Sequence, residues 1–187
     1  MLNIQRMGCH NINFVSPSHM IYAILKALPM AIEAGLNIPL VCNSGGYDSV
    51  NSLKMLEGIF DIYMPDFKYG NNEVSGRLSD APGYSDIAKK ALKEMHRQVG
   101  DLQLDSEGIA RRGMIVRHLI LPGNLAATNK IIDYIAGLSK NTYLNLMDQY
   151  RREYQAEEFY GLDRPLSPSE YIQYLDYARS KGLKRLD

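Results

Sequence analysis

Met114-Ile115-Val116-Arg117-His118-Leu119-Ile120-Leu121 is almost continuously apolar and rich in branched residues. That is the composition of a parallel strand covered on both faces. Pro122-Gly123 punctuates the run, and Thr128 then caps a helix that turns Ile131, Ile132, Ile135 and Leu138 inward. The same order, an apolar run and then a helical period, recurs along the chain. Strand-like Asn11–Val15 precedes a helix over Met20–Ala34, which Pro29 should bend or split. Pro39–Cys42 precedes a helix over Ser49–Leu56 capped by Asp48 or Ser49, and Ile59–Pro65 precedes the amphipathic helix Ser85–Val99. Thr142–Met147 is the fifth strand, and the capping box Ser167-Pro168-Ser169-Glu170 opens a last helix that runs to about Ser180. Between Tyr69 and Gly83 the chain is polar and longer than an ordinary connection, which reads as a functional or mobile loop.

Five βα units in tandem predict an α/β fold with a parallel sheet and right-handed crossovers, either open or curved into part of a barrel. The length, 187 residues, suits one domain spanning 1–187. Lys plus Arg (21) balance Asp plus Glu (21), so no long-range field draws the chain to nucleic acid or to an anionic membrane. No apolar stretch reaches the roughly 20 residues a membrane helix needs, and the first residues lack a signal peptide's apolar centre. A cytoplasmic protein is the expectation.

Chemistry is expected where strands end, because barrels of this kind build their sites at the carboxyl ends. Tyr63-Met64-Pro65-Asp66-Phe67-Lys68 ends a strand in an acid and a lysine two residues apart, on one face. Asp66 favours the charged form of Lys68, which suits binding a carboxylate better than forming a Schiff base. A strand-end ion pair that only satisfies itself is an equal reading. Arg117, inside an apolar run, needs an anionic partner, either a ligand or Asp66. Asn43-Ser44-Gly45-Gly46 offers backbone N–H groups to a ligand, or is a plain turn. Asn145, Gln149 and Ser16 also stand at strand ends, and His118 reads as a satisfied core histidine. Cys9 and Cys42 have no partners at metal-ligand spacing, and no residue of this chain is expected to bind metal. The tyrosines after Gln149, Tyr150, Tyr154 and Tyr160, could line a groove or pack on a rim.

Five blocks in order, Gly8-Cys9-His10-Asn11-Ile12-Asn13-Phe14-Val15, Asn43-Ser44-Gly45-Gly46-Tyr47, Asp61-Ile62-Tyr63-Met64-Pro65-Asp66-Phe67-Lys68-Tyr69, Val116-Arg117-His118-Leu119-Ile120-Leu121-Pro122-Gly123 and Asn145-Leu146-Met147-Asp148-Gln149-Tyr150, closely resemble radical S-adenosylmethionine proteins of the pyruvate formate-lyase activating enzyme type. The resemblance implies five βα units of a six-unit partial (β/α) TIM-like barrel. It also implies a four-iron four-sulfur cluster, reductive cleavage of S-adenosylmethionine to a 5′-deoxyadenosyl radical, and a glycyl radical enzyme or other protein substrate as partner. By the same resemblance Asn43, Ser44, Asp66, Lys68, Arg117, Ser16, Asn145 and Gln149 would approach the cofactor. Lys68 and Arg117 would neutralise its carboxylate.

Two departures stand out. Ser16-Pro17-Ser18-His19 replaces the usual Gly-Gly-Glu-Pro loop, and the three-cysteine cluster motif that follows the family's first strand is missing, this chain having two cysteines in all. The expectation is that the first βα unit lies outside these residues, through a late gene start, a frameshift or expression of the downstream part alone. No catalytic residue is then assigned to this chain, which by itself should not perform the reaction. Its exposed edge strand should promote self-association. The rival readings are a lyase barrel using Lys68 as a Schiff-base nucleophile, and a non-catalytic binding remnant.

Overall fold

The computed structural model describes residues 1–187. Seven helices and six strands alternate in an α/β arrangement. In chain order they are α1 (Leu2–Arg6), β1 (Ile12–Val15), α2 (Ile21–Glu33), β2 (Leu40–Ser44), α3 (Val50–Met55), β3 (Ile62–Pro65), α4 (Asn72–Ser79), α5 (Tyr84–Val99), β4 (Gln103–Leu104), β5 (Ala110–Leu119), α6 (Thr128–Leu138), β6 (Tyr143–Met147) and α7 (Pro168–Ser180). The sheet is mostly parallel: β1 pairs β2, β2 pairs β3, β3 pairs β5 and β5 pairs β6, all in parallel. Only β4 is antiparallel, against the start of β5.

Each parallel strand is laid beside the one before it, always in the same direction across the sheet. Crossovers of constant hand then place α2, α3, α5, α6 and α7 on one face. The packing agrees, since Leu28 of α2, Leu53 of α3, Leu92 of α5, Ile131 of α6 and Ala178 of α7 share one cluster of 28 buried residues with Cys42, Tyr63, Met114 and Val116. In β5 the alternation is plain. Met114, Val116 and His118 are buried completely beneath the helices, whereas Ile115, Arg117 and Leu119 are half-buried on the other face. The expectation of a strand covered on both faces is therefore met fully on one face and only in part on the other. Its high apolar content comes from one face packed under helices and one that is lightly covered.

Of the side-chain caps expected, Ser167 forms one, whereas Ser49 holds the N-cap position of α3 without a side-chain hydrogen bond. Ser167 accepts from the Glu170 N–H at 3.2 Å, and Glu170 returns to the Ser167 N–H at 3.0 Å, closing the capping box. Pro29, expected to bend or split α2, leaves it continuous from Ile21 to Glu33. The hydrogen bond that Pro cannot donate is offset by the burial of Leu28 and Ala31. The polar stretch Tyr69–Gly83 is not a loop throughout, for α4 forms within it. The Asn71 side chain caps α4 by accepting from the Glu73 N–H at 2.8 Å. Thr128 begins α6 but does not cap it, because its hydroxyl is engaged with His118 Nε2 at 2.9 Å.

The two edges of the sheet differ. Beside β6, the chain end Arg185–Asp187 adds a short parallel pairing, with Leu144 N–H to Arg185 O at 3.0 Å and Leu146 N–H to Asp187 O at 2.8 Å. Beside β1 nothing pairs. Ile12 and Ser16 donate to Pro39 and Asn43 of the β2 side, which leaves the backbone groups of Asn13 and Val15 pointing outward. No helix of the molecule is long and apolar enough to cross a membrane.

Candidate strand-end binding site

The register of the sheet brings the polar strand ends together. Asp66 stands beside Arg117, and Arg117 stands beside Asn145, so three residues from separate strands form one lateral row on the lightly covered face. Asp66 carries two cations. Its Oδ2 lies 2.7 Å from Lys68 Nζ, and its Oδ1 lies 2.8 Å from Arg117 Nη2. The second approach is close in distance but lacks hydrogen-bond alignment, since Asp66 Oδ1 and Arg117 Nε are both buried without a hydrogen-bond partner. Arg117 Nη2 instead donates to Asn43 Oδ1 at 2.9 Å, which brings β2 into the network.

Asp66, Lys68 and Arg117 border a cavity of about 410 Å³ that also meets Leu119, Met147, Gln149 and Arg151. Three cations, Lys68, Arg117 and Arg151, face one carboxylate, Asp66, so the cavity carries two positive charges in excess. Unspent donors on a partly buried guanidinium and surplus positive charge are what a carboxylate or phosphate ligand would satisfy.

The segment carrying Asp66 and Lys68 is clamped from three sides. The Phe67 N–H donates to Arg117 O at 2.8 Å, and the Phe67 carbonyl lies 2.7 Å from His118 Nδ1. A carbonyl can only accept, so Nδ1 bears the hydrogen and Nε2 accepts from the Thr128 hydroxyl. Complete burial pushes the His118 imidazole down to about 4, although the Phe67 carbonyl opposes the shift. The third clamp is Tyr84, whose hydroxyl accepts from the Lys68 N–H at 2.9 Å and reaches the carbonyls of Gly45 and Asp66 at 2.8 and 2.9 Å. Nothing local marked this tyrosine, which lies 16 residues beyond Lys68 at the start of α5.

The other anticipated residues fall in different places. Ser44 alternates with Asn43 and is buried on the helix side, where its hydroxyl accepts from the Gly46 N–H at 3.3 Å, so it shapes the turn rather than the cavity. Ser16 is exposed in a left-handed conformation (φ 50°) and is joined to β2 through its backbone. Gln149 borders the cavity and leans on Met147 Sδ at 3.5 Å. His118 is the satisfied core histidine that its place in the strand suggested. Lys68 has its nitrogen engaged with Asp66, an arrangement that opposes its use as a free amine nucleophile. Cys9 is exposed, while Cys42 is buried beneath the helices, where burial first and Asp48 second push its thiol up to about 12. No three His, Cys, Asp or Glu side chains converge as metal ligands.

No protein-family model matches the chain. Uncharacterized protein MJ0674 of Methanocaldococcus jannaschii is similar to it, 36% identical over 176 residues that cover 92% of this chain and 47% of the relative. The chain thus spans about half the length of the curated relative it matches.

Proposed function

We propose that these residues form the S-adenosylmethionine-facing part of a radical S-adenosylmethionine protein of the glycyl-radical activating type, with the parallel strands curved as five βα units of a (β/α) barrel. The observation that carries the reading is the row Asp66, Arg117, Asn145 with Lys68 and Asn43 beside it, cationic in sum, at the carboxyl ends of strands whose helices α2, α3, α5, α6 and α7 lie on the opposite face. A one-sided set of helices suits a sheet that curls around its open face. The amino-acid end of the cofactor fits the donors: its carboxylate would meet Lys68 and Arg117, and its ammonium would face Asp66.

The cluster does not fit. It needs thiolates, and the two thiols present are one exposed at Cys9 and one buried and held protonated at Cys42. No step of reductive cleavage is therefore assigned to these residues, and such a protein would draw its thiolates from outside residues 1–187. A protein substrate such as a glycyl radical enzyme is the partner proposed, and the cytoplasm is the compartment.

Titration calorimetry of the chain with S-adenosylmethionine tests the reading. High-micromolar affinity is expected, because no iron adds its chelation to the polar contacts. Lys68→Ala should weaken it about fivefold, the share of a half-exposed ion pair. Tight binding that ignores Lys68 would place the cofactor elsewhere.

The open backbone row of Asn13 and Val15, with Val15 69% exposed, supports the proposal that β1 pairs with a second copy. Sedimentation velocity should then show association that rises with concentration and that Val15→Lys suppresses. A clean monomer at high concentration would end that proposal.

A further inference from the structure

A second cavity, about 530 Å³, opens between the last turn of α4 and the segment 150–162. It shares Leu119 and Arg151 with the strand-end cavity, so the two are contiguous along that wall. Its size lies within the ~300–1,000 Å³ range of small-molecule sites. Tyr69, Leu78, Tyr150 and Phe159 line it, packed over a small buried cluster of Leu121, Ala126 and Leu162. Both phenols are already satisfied within the protein. Tyr69 Oη meets Ser79 Oγ at 2.7 Å, and Tyr150 donates to the Leu162 carbonyl at 2.8 Å. What these tyrosines offer a ligand is therefore the apolar surface of their rings.

At the shared rim stands Arg151. It is exposed, and no carboxylate lies within ion-pair distance of it, whereas Lys68 and Arg117 are both drawn to Asp66. Arg77, Asp80 and Glu153 also line the chamber and leave it neutral in sum, so the end that favours an organic anion is Arg151, on the rim shared with the cationic strand-end cavity, while the aromatic walls take the body that sheds water.

We propose that this cavity binds a small aromatic carboxylate, with its ring against Tyr69, Leu78, Tyr150 and Phe159 and its carboxylate on Arg151. The site goes beyond the cofactor-binding reading and does not require it. It would hold such a molecule beside whatever fills the strand-end cavity.

The test is titration calorimetry of the 187-residue chain with 4-phenylbutyrate and with its neutral amide, without S-adenosylmethionine. Saturable one-site binding is expected, about fivefold tighter for the carboxylate. Arg151→Gln should erase that preference and leave the amide's affinity unchanged, and Ala156→Trp, which fills the chamber, should abolish binding of both. The circular dichroism and urea midpoint of Arg151→Gln should match the parent, because the side chain is exposed and unpaired. Equal affinities for acid and amide, a preference that survives Arg151→Gln, or no saturable binding of either probe would each overturn the proposal. A failure of S-adenosylmethionine to bind, measured separately, would leave it standing.

Discussion

Lowering the pH from 6.5 to 5 should remove roughly 2 kcal/mol of stability through His118 alone, at about 1.4 kcal/mol per pH unit. In the unfolded chain an imidazole takes its proton near 6.5, but in the native protein His118 does so only near 4. Between those values the unfolded state binds more protons than the native state, so stability rises with pH. The contribution is complete above 6.5 and is lost as the pH falls through the window toward 4. Carboxylates held low by guanidinium partners, such as Glu94 with Arg97, add their own loss only below the ordinary carboxylate value of 4.5. Urea titrations at pH 6.5, 5.75 and 5 therefore isolate the histidine. His118→Gln should be less stable than the parent at pH 6.5 and should show little slope over this range. An equal slope in the variant would mean that another group carries the dependence. The effect bears on the site, because the same imidazole holds the carbonyl between Asp66 and Lys68.

Gly46→Ala should cost about 3 kcal/mol. Two terms combine. Gly46 has φ +73°, where an L side chain costs about 1–2 kcal/mol, and a Cβ there would stand 2.2 Å from the Asp66 carbonyl oxygen, forcing backbone to move. Gly58→Ala isolates the first term, since φ is +79° with open space around it, and about 1 kcal/mol is expected. Gly45→Ala has neither penalty, its nearest neighbour being Lys68 Cε at 4.0 Å, and should change stability by less than about 0.5 kcal/mol. Denaturant unfolding of the three variants should rank them in that order. Three equal losses would mean that the approach of the Gly45-Gly46 turn to Asp66 is not a constraint. Because the displaced carbonyl belongs to Asp66, Gly46→Ala should also weaken ligand binding at the strand ends, whereas Gly58→Ala should not.

The chain order of apolar runs and helical periods was enough to establish an α/β fold with a parallel sheet. Branched residues from Met114 onward and the capping box at Ser167 act through neighbours a few positions away, and such signals are present in the sequence itself. So was the charge chemistry of Asp66 and Lys68, two residues apart on one strand end. Features that depend on distant packing were not legible. Helix α4 is built from residues of poor helical propensity, Ser75 and Gly76 among them, and it stands because Asn71 caps it and α5 packs beside it. Pro29 interrupts a hydrogen bond but not a helix, because burial outweighs the loss. Ser44 and Asn43 look alike as consecutive polar residues, yet the pleat sends one under the helices and the other to Arg117, 74 residues away. Tyr84 and Arg151 become part of the strand-end region only when crossovers bring α5 and the segment after β6 to the same end of the sheet. Local sequence determined which elements form and which residues bear charge. Tertiary structure alone decided which charges on separate strands meet, because the lateral register between strands is set by packing across the whole sheet and by no single segment.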